Sequence, residues 1–307
     1  AWASFPCQDL SLAGGRAGLD GERSGTFWAF WRIIQCLAAE GKAPRAIVLE
    51  NVCGVLTSNG GKDFMGICDT LNEGGYRIGA LVIDSVDFLP HSRPRLFFVA
   101  VRKTEPLPRS LVREAPHGKW HTRPLIRAFE RLPEQLKRSW VWWSMPSPEG
   151  GRNELIDLIE ANPPTNLWHS AEVTRGLLEM MSPGNRAKVA TVQEAGSNAI
   201  GCVYRRTRQE NGAKVQRAEV RFDGVAGCLR TPSGGSSRQI LIIVESREIS
   251  SRLISPRETA RLMGLPDTYT LPESYSDAYH LSGDGVAVPV VRHLAQSILE
   301  PLLTPND

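Results

Sequence analysis

Three short apolar runs, "RAIVLENV" (45–52), "RIGALVI" (77–83) and "RLFFVAV" (95–101), fall within the first hundred or so residues. Runs of this length, rich in β-branched and aromatic residues, fit strands buried on both faces. Helical patterns lie around them. "TFWAFWRIIQCLAAEG" (26–41) has apolar residues at 27, 30, 31, 34 and 37 and closes on Gly41. "KDFMGICDTLNEGGY" (62–76) reads as a helix stopped by two glycines. Strand–helix alternation predicts an α/β fold with a doubly wound sheet.

The chain has 307 residues, enough for one large domain or two modest ones. At 41% hydrophobic and 22% charged residues it reads as globular rather than disordered. No run of 18 apolar residues and no signal-peptide pattern is visible, so neither a membrane span nor a leader is expected. The six cysteines (7, 36, 53, 68, 202, 228) form no CxxC pair. They suit a reducing, cytoplasmic setting better than a disulfide framework, and no metal site is expected.

The middle differs. Residues 103–175 are proline-rich, with one helical stretch at 152–161 and a tryptophan cluster, "SWVWWSMPSP" (139–148). Core packing is the favoured reading of that cluster over a base-stacking platform. Residues 200–245 read as glycine-rich with short β-like runs. The last sixty residues return to regular structure. Ser255, Pro256 and Glu258 form a capping-box pattern, and 286–303 reads as an amphipathic final helix introduced by the turn "SGDG" (282–285).

Charge is uneven. Residues 175–221 hold nine Lys or Arg and four Glu, a net +5, leaving the rest at −2. This stretch, with "YRRTRQ" at 204–209, reads either as a phosphate-contacting surface or as a solvated basic face.

Cys7, in "SFPCQDLS" (4–11), is either a structural thiol or a nucleophile, which must act as thiolate. Glu50 stands at the C-terminal end of the strand 45–52, the end where open α/β sheets bind ligands. Arg93 and Arg95 precede another strand, two residues apart and so on one face. Glu50 could simply cap or pair, and the arginines could simply bind carboxylates. Together these residues supply a nucleophile, an acid and two cations.

"PCQ" (6–8), "ENV" (50–52) and "SRPR" (92–95), in this order, resemble the DNA cytosine-5 methyltransferase family of bacterial or phage type. So do "RLISPRETARLMGLPD" (252–267) and "GDGVAVPVV" (283–291), while "LRTPSGGSSRQ" (229–239) resembles the end of that family's target-recognition region. The resemblance implies transfer of a methyl group from S-adenosylmethionine to C5 of a cytosine flipped out of double-stranded DNA. Cys7 would add to C6, Glu50 would hold or protonate N3, Arg95 would contact O2, and Arg93 would order the loop. Gln8 and Ser11 would lie on the loop that closes over DNA. Pro6, Asp284, Gly285 and Val286 would face the cofactor. Arg205, Arg206, Arg208, Arg230, Thr231, Ser236, Ser237 and Arg238 would contact DNA. A restriction–modification role follows.

The chain carries His91 where the family usually has Gln, and Asp284 where Asn is more common. The family's FxGxG loop and the acidic residue after its second strand should precede the cysteine loop, yet six residues stand before Cys7. The expectation is an incomplete Rossmann-like methyltransferase sheet with an inserted, irregular target-recognition domain. Residues 1–103 and 250–307 would be catalytic and 104–249 would recognise the target. Strand 45–52 would present an unpaired edge. Such a chain would be inactive until a complementing N-terminal polypeptide is supplied. The alternatives are a non-catalytic DNA-binding remnant and one subunit of a split enzyme.

Overall fold

The computed structural model describes residues 1–5, 26–196, 198–210, 212–230 and 238–304. It divides into two compact units: Ala1–Asp84 with Pro94–Pro148 and Arg292–Asp307, and Ser85–Arg93 with Glu149–Val291. These divisions fall elsewhere than the expected boundaries at 103/104 and 249/250.

The first unit is built on a four-stranded sheet. β1 (Trp2–Ser4) runs parallel to β2 (Ala46–Val52). β4 (Pro94–Arg102) lies between β2 and β3 (Tyr76–Asp84), antiparallel to both, giving the order β1-β2-β4-β3. The sheet is therefore mixed rather than uniformly parallel. Only residues 85–93 link β3 to β4, fewer than the ~10–12 a parallel crossover needs. β2 is paired on both sides, so the expected unpaired edge at 45–52 does not exist. Among the described residues the outer strands are β1 and β3.

One face of the sheet receives α1 (Thr26–Ala39) and α2 (Lys62–Glu73). Phe27, Trp31 and Ile34 of α1 recur at helical spacing, as do Phe64, Ile67, Cys68 and Leu71 of α2. They share one core with Ile47, Leu49, Ala80 and Phe98 of the strands. Each buried Leu, Ile or Phe among them contributes about 1.5–3 kcal/mol. Beyond β4 come β5 (Val112–Arg113), α3 (Arg123–Glu130), α4 (Glu134–Arg138) and β6 (Trp142–Trp143), which pairs with β5. The tryptophans pack as core, as expected: Trp142 lies 4.7 Å from Phe129 and 5.5 Å from Trp140 between ring centroids. Trp143 donates from Nε1 to the Val99 carbonyl (3.1 Å). That approach requires Gly79, where a Cβ would stand 2.1 Å from the Val141 carbonyl oxygen. Ile78 pairs with 139–141 through its backbone, and this ties the tryptophan segment to the sheet.

In the second unit the helix expected over 152–161 shrinks to one turn, α5 (Leu155–Leu158). Ile159 is already extended, and the Glu160 N–H is taken by the Glu258 carboxylate (2.9 Å). α6 (Ala171–Glu179) and α7 (Pro183–Ala195) follow, each with a serine N-cap. The short β-like runs read at 200–245, inside the recognition region expected to be irregular, belong to an antiparallel sheet of order β10-β9-β7-β8. It comprises β7 (Ala199–Glu210), β8 (Ala213–Arg221), β9 (Ile240–Glu245) and β10 (Glu248–Leu253). α8 (Pro256–Leu262) starts with the expected capping box at Ser255 and Glu258. Glu258 also holds Arg252 in a buried ion pair (2.6 Å).

"SGDG" is not a turn: Ser282 to Asp284 complete α9 (Tyr275–Asp284). The final helix begins later, as α10 (Val288–Leu294), passes through a π turn at Ala295–Leu299 and ends as α11 (Glu300–Leu303). Pro301 explains the wide turn, because it has no N–H for the Ser297 carbonyl and its ring crowds that oxygen.

His121 is buried in the first unit, its Nδ1 accepting from the His117 N–H (2.8 Å). Burial first, then His117 and Arg113, hold its imidazole down to about 4. Below its ordinary value near 6.5 the unfolded chain binds a proton that the folded chain refuses. Stability is therefore full above that pH and is lost as pH falls toward 4, by up to about 3 kcal/mol. Urea melts from pH 7 to 4 should show a shallower decline for His121→Gln than for the parent chain. Parallel declines would contradict this account.

Candidate active site

Glu50 and Arg95 meet at the C-terminal end of β2. The register pairs Val52 with Arg95 and Glu50 with Phe97, so Glu50 and Arg95 are diagonal neighbours on one face. Arg95 Nε lies 3.1 Å from Glu50 Oε1, with the two side chains only 14% and 9% exposed. Arg95 also donates from Nη1 to the Pro94 carbonyl (2.9 Å). Removing one partner of a pair this buried costs about 3–5 kcal/mol.

The parallel register places Ser4 opposite Glu50. Asn51, on the other face of β2, donates from Nδ2 to the Phe5 carbonyl (3.1 Å) and accepts the Val52 N–H on Oδ1 (2.9 Å). Glu50 and Asn51 thus divide the work of one strand end: one side chain holds the partner cation, the next tethers the peptide leading to Cys7. The sequence reading gave Asn51 no role; its signal was its place directly after Glu50. Cys7 itself, with Pro6, Gln8 and Ser11, lies outside the described residues.

A second thiol stands near this pair. Cys53 follows β2 and is half-buried. Burial pushes its thiol up to about 11, and the opposing pull of Arg95 is smaller. At pH 8 it is a neutral, poorly nucleophilic thiol. Proximity to Glu50 and Arg95 therefore does not make Cys53 the nucleophile.

Arg93 does not share a strand face with Arg95, because β4 begins only at Pro94. In the second unit it is 4% exposed. It donates from Nη1 to the Leu229 carbonyl (2.8 Å) and from Nη2 to those of Gly283 (2.7 Å) and Gly285 (2.9 Å). His91, also buried, takes the Leu229 N–H on Nε2 (3.2 Å) and faces the Leu262 carbonyl through Nδ1 (3.1 Å). That network assigns the proton to Nδ1. One donor and one acceptor is also what a glutamine amide offers, so the departure at 91 keeps the hydrogen-bonding capacity.

Of the residues expected to face a methyl donor, Asp284 ends α9, Gly285 is its extended C-cap and Val286 follows. Both backbone groups of Gly285 are used within the second unit: its N–H donates to Leu281 (3.1 Å) and its carbonyl accepts from Arg93. What this peptide can present is the exposed Asp284 and the half-buried Val286 side chain.

The expected DNA contacts separate. Arg206 and Arg208 share one face of the β7–β8 ribbon and both pair with Glu219, while Arg205 is on the other face. Arg230 is exposed. Arg238 lies over the Tyr275 ring (5.0 Å) and donates to Ser276 Oγ (3.2 Å). Thr231, Ser236 and Ser237 lie outside the described residues.

A unit whose mixed sheet ends a buried strand on a carboxylate–guanidinium pair, and a second unit with its own antiparallel sheet, make this an α/β protein of two parts. The chain belongs to the C-5 cytosine-specific DNA methylase family, whose description matches residues 2–300. It is 26% identical over 300 residues to the type II methyltransferase M1.ScrFI of Lactococcus lactis subsp. cremoris, covering 97% of this chain and 61% of that protein. It is 27% identical over 303 residues to M.HaeII of Haemophilus aegyptius, covering 98% of this chain and 73% of that protein. The fold is that of the Entamoeba histolytica methyltransferase EhMeth (TM-score 0.60, 14% identity, 99% of this chain and 77% of that one). It is likewise that of S. pombe Dnmt2 (TM-score 0.56, 16% identity, 99% and 78%). No described helix is long and apolar enough to cross a membrane.

Two outcomes follow. With iodoacetamide at pH 8, the exposed Cys36 should be alkylated and Cys53 spared; mass mapping that finds Cys53 labelled as fast as Cys36 would contradict the burial argument. Arg93→Ala strands three carbonyls and should cost roughly 3 kcal/mol or more, read as a lowered urea midpoint, whereas a surface-like loss under 0.5 kcal/mol would show those bonds to be weak.

Proposed function

We propose that this chain carries the base-handling half of a DNA cytosine-5 methyl transfer, with Cys7 as nucleophile and Glu50 and Arg95 on the pyrimidine. The observation that carries the reading is the buried Glu50–Arg95 pair at the strand end to which Asn51 tethers Phe5. Two residues of chain reach at most about 7 Å, so covalent geometry keeps Cys7 within that span of Phe5.

The chemistry assigns each group a task. The Cys7 sulfur forms a bond to C6, and the electron pair displaced through the ring is met by a proton from Glu50 at N3. Arg95 donates to O2 and stabilises the charge that develops there. S-adenosylmethionine, when bound, supplies the methyl group that C5 accepts. Solvent water takes the C5 proton, the electron pair left behind restores the C5–C6 double bond as the C6–sulfur bond breaks to free the thiolate, and N3 returns its proton to Glu50. The base reaches these groups only outside the helical stack. Arg93 is a positioning residue, since its guanidinium is committed to three carbonyls.

DNA contact is assigned to the second unit, through Arg205, Arg206, Arg208, Arg230 and Arg238 and through Thr231, Ser236 and Ser237. A complementing N-terminal polypeptide is the proposed partner for cofactor binding, and a bacterial cytoplasm, within a restriction–modification pair, is the proposed setting.

The test is transfer of a labelled methyl group to duplex DNA by this chain, alone and with an N-terminal polypeptide from a relative. Transfer should require the added polypeptide. Cys7→Ser should abolish it, and Glu50→Gln should lower turnover by about two to four orders of magnitude with DNA affinity little changed. Transfer that survives Cys7→Ser would remove the nucleophile assignment. DNA binding with no transfer under any condition would leave a DNA-binding remnant instead.

A further inference from the structure

The β7–β8 ribbon has two chemically different faces. Paired residues share a face, so one carries Tyr204, Arg206, Arg208 and Glu210 with Val215, Arg217 and Glu219. Its charges are largely latched together. Arg208 donates from Nε to Glu219 (2.9 Å), Arg206 lies 3.4 Å from the same carboxylate, and Arg217 donates from Nε to Glu210 (2.8 Å). Three guanidinium groups face two carboxylates, a net charge of only +1.

The opposite face starts as core. Val203, Ala218 and Val220 are buried with Leu177, Met181 and Val189. Past the pair Arg205–Ala218 that apolar face runs out. It continues as Thr207 opposite Gln216 and Gln209 opposite Lys214, all four exposed. Strand residues 206–210 and 213–217 extend the ribbon beyond its last fully buried side chain. Five residues per strand make an overhang of about 16 Å. A two-stranded ribbon fits the major groove, roughly 12 Å wide and 8.5 Å deep.

Resting on the DNA reading above, we propose that the Thr207–Gln209–Lys214–Gln216 face reads base edges in the major groove and so sets the target sequence. The arginine face supplies phosphate contacts. Gln209 and Gln216 offer the paired donor and acceptor that match N6 and N7 of adenine, and Lys214 offers donors for O6 and N7 of guanine. Arg206 and Arg208 can exchange Glu219 for phosphate at small cost, because exposed ion pairs are worth only about 0–1 kcal/mol. Phosphate contacts fix register and carry no sequence information.

The test is selection of bound duplexes from a random-sequence library by the full chain at fixed salt. Q209A, Q216A and the double variant R206Q/R208Q are run in parallel, with melting curves to confirm folding. The parent should enrich a motif containing adenine. Q209A and Q216A should each relax one or two positions of it, by about 5- to 150-fold, with affinity for unselected DNA unchanged. R206Q/R208Q should keep the motif, weaken binding to every sequence and flatten the salt dependence. An unchanged motif in both glutamine variants, or a changed motif in the arginine variant, would overturn the assignment. So would a parent that binds duplex with no preference. A parent that binds no duplex at all would instead sink the DNA reading on which the proposal rests.

Discussion

The register between β2 and β4 governs the candidate site. Both strands are buried on both faces, so a slip of one residue would turn Glu50 into the core and Asn51 out of it. With the register held, the diagonal from Glu50 to Arg95 closes at 3.1 Å, and Asn51 is left on the face from which it reaches Phe5. The apolar residues around them, Leu49, Leu96, Phe97 and Phe98, are fully buried. They hold a carboxylate and a guanidinium together where neither would be stable alone.

Much of this was legible in the sequence. The runs 45–52, 77–83 and 95–101 are strands, and Glu50 sits at a strand end, because apolar residues with no helical period have few other solutions. β1 was not legible: its three residues become a strand only by pairing with Val48 to Glu50. The alternation argument for Arg93 and Arg95 failed at one residue. Pro94 begins the strand, and Arg93 turns instead to the carbonyls of Leu229, Gly283 and Gly285, more than a hundred positions away in sequence. The β7–β8 ribbon was legible only as short β-like runs within 200–245, for another reason. Its outer residues are polar on both faces, so no period of two is visible there. The π turn before Pro301 was hidden by an otherwise regular amphipathic pattern.

The second unit is held by polar groups that the sequence shows only as separate motifs. Arg93 and His91, from a segment of nine residues, satisfy backbone groups of Leu229, Leu262, Gly283 and Gly285. Arg252 and Glu258 form a buried pair whose carboxylate also caps Ser255. Segments far apart in sequence, around residues 91–93, 229, 262 and 283–285, are here joined in space by hydrogen bonds. The ribbon, by contrast, carries its polar residues outward, with Arg206, Arg208 and Arg217 held in ion pairs with Glu219 and Glu210 on one face.

The central claim is that the nucleophile is Cys7 and not Cys53, whose thiol stands near the Glu50–Arg95 pair. Duplex DNA with 5-fluorocytosine at the target position traps the sulfur–C6 bond, because fluorine at C5 cannot leave as a proton does. Peptide mass mapping of the trapped complex, formed with the complementing polypeptide and S-adenosylmethionine present, reads the attachment site directly. The account requires the pyrimidine on the peptide containing Cys7, with Cys53 unmodified. Attachment at Cys53, or no covalent complex under conditions that transfer methyl groups to ordinary DNA, would contradict it.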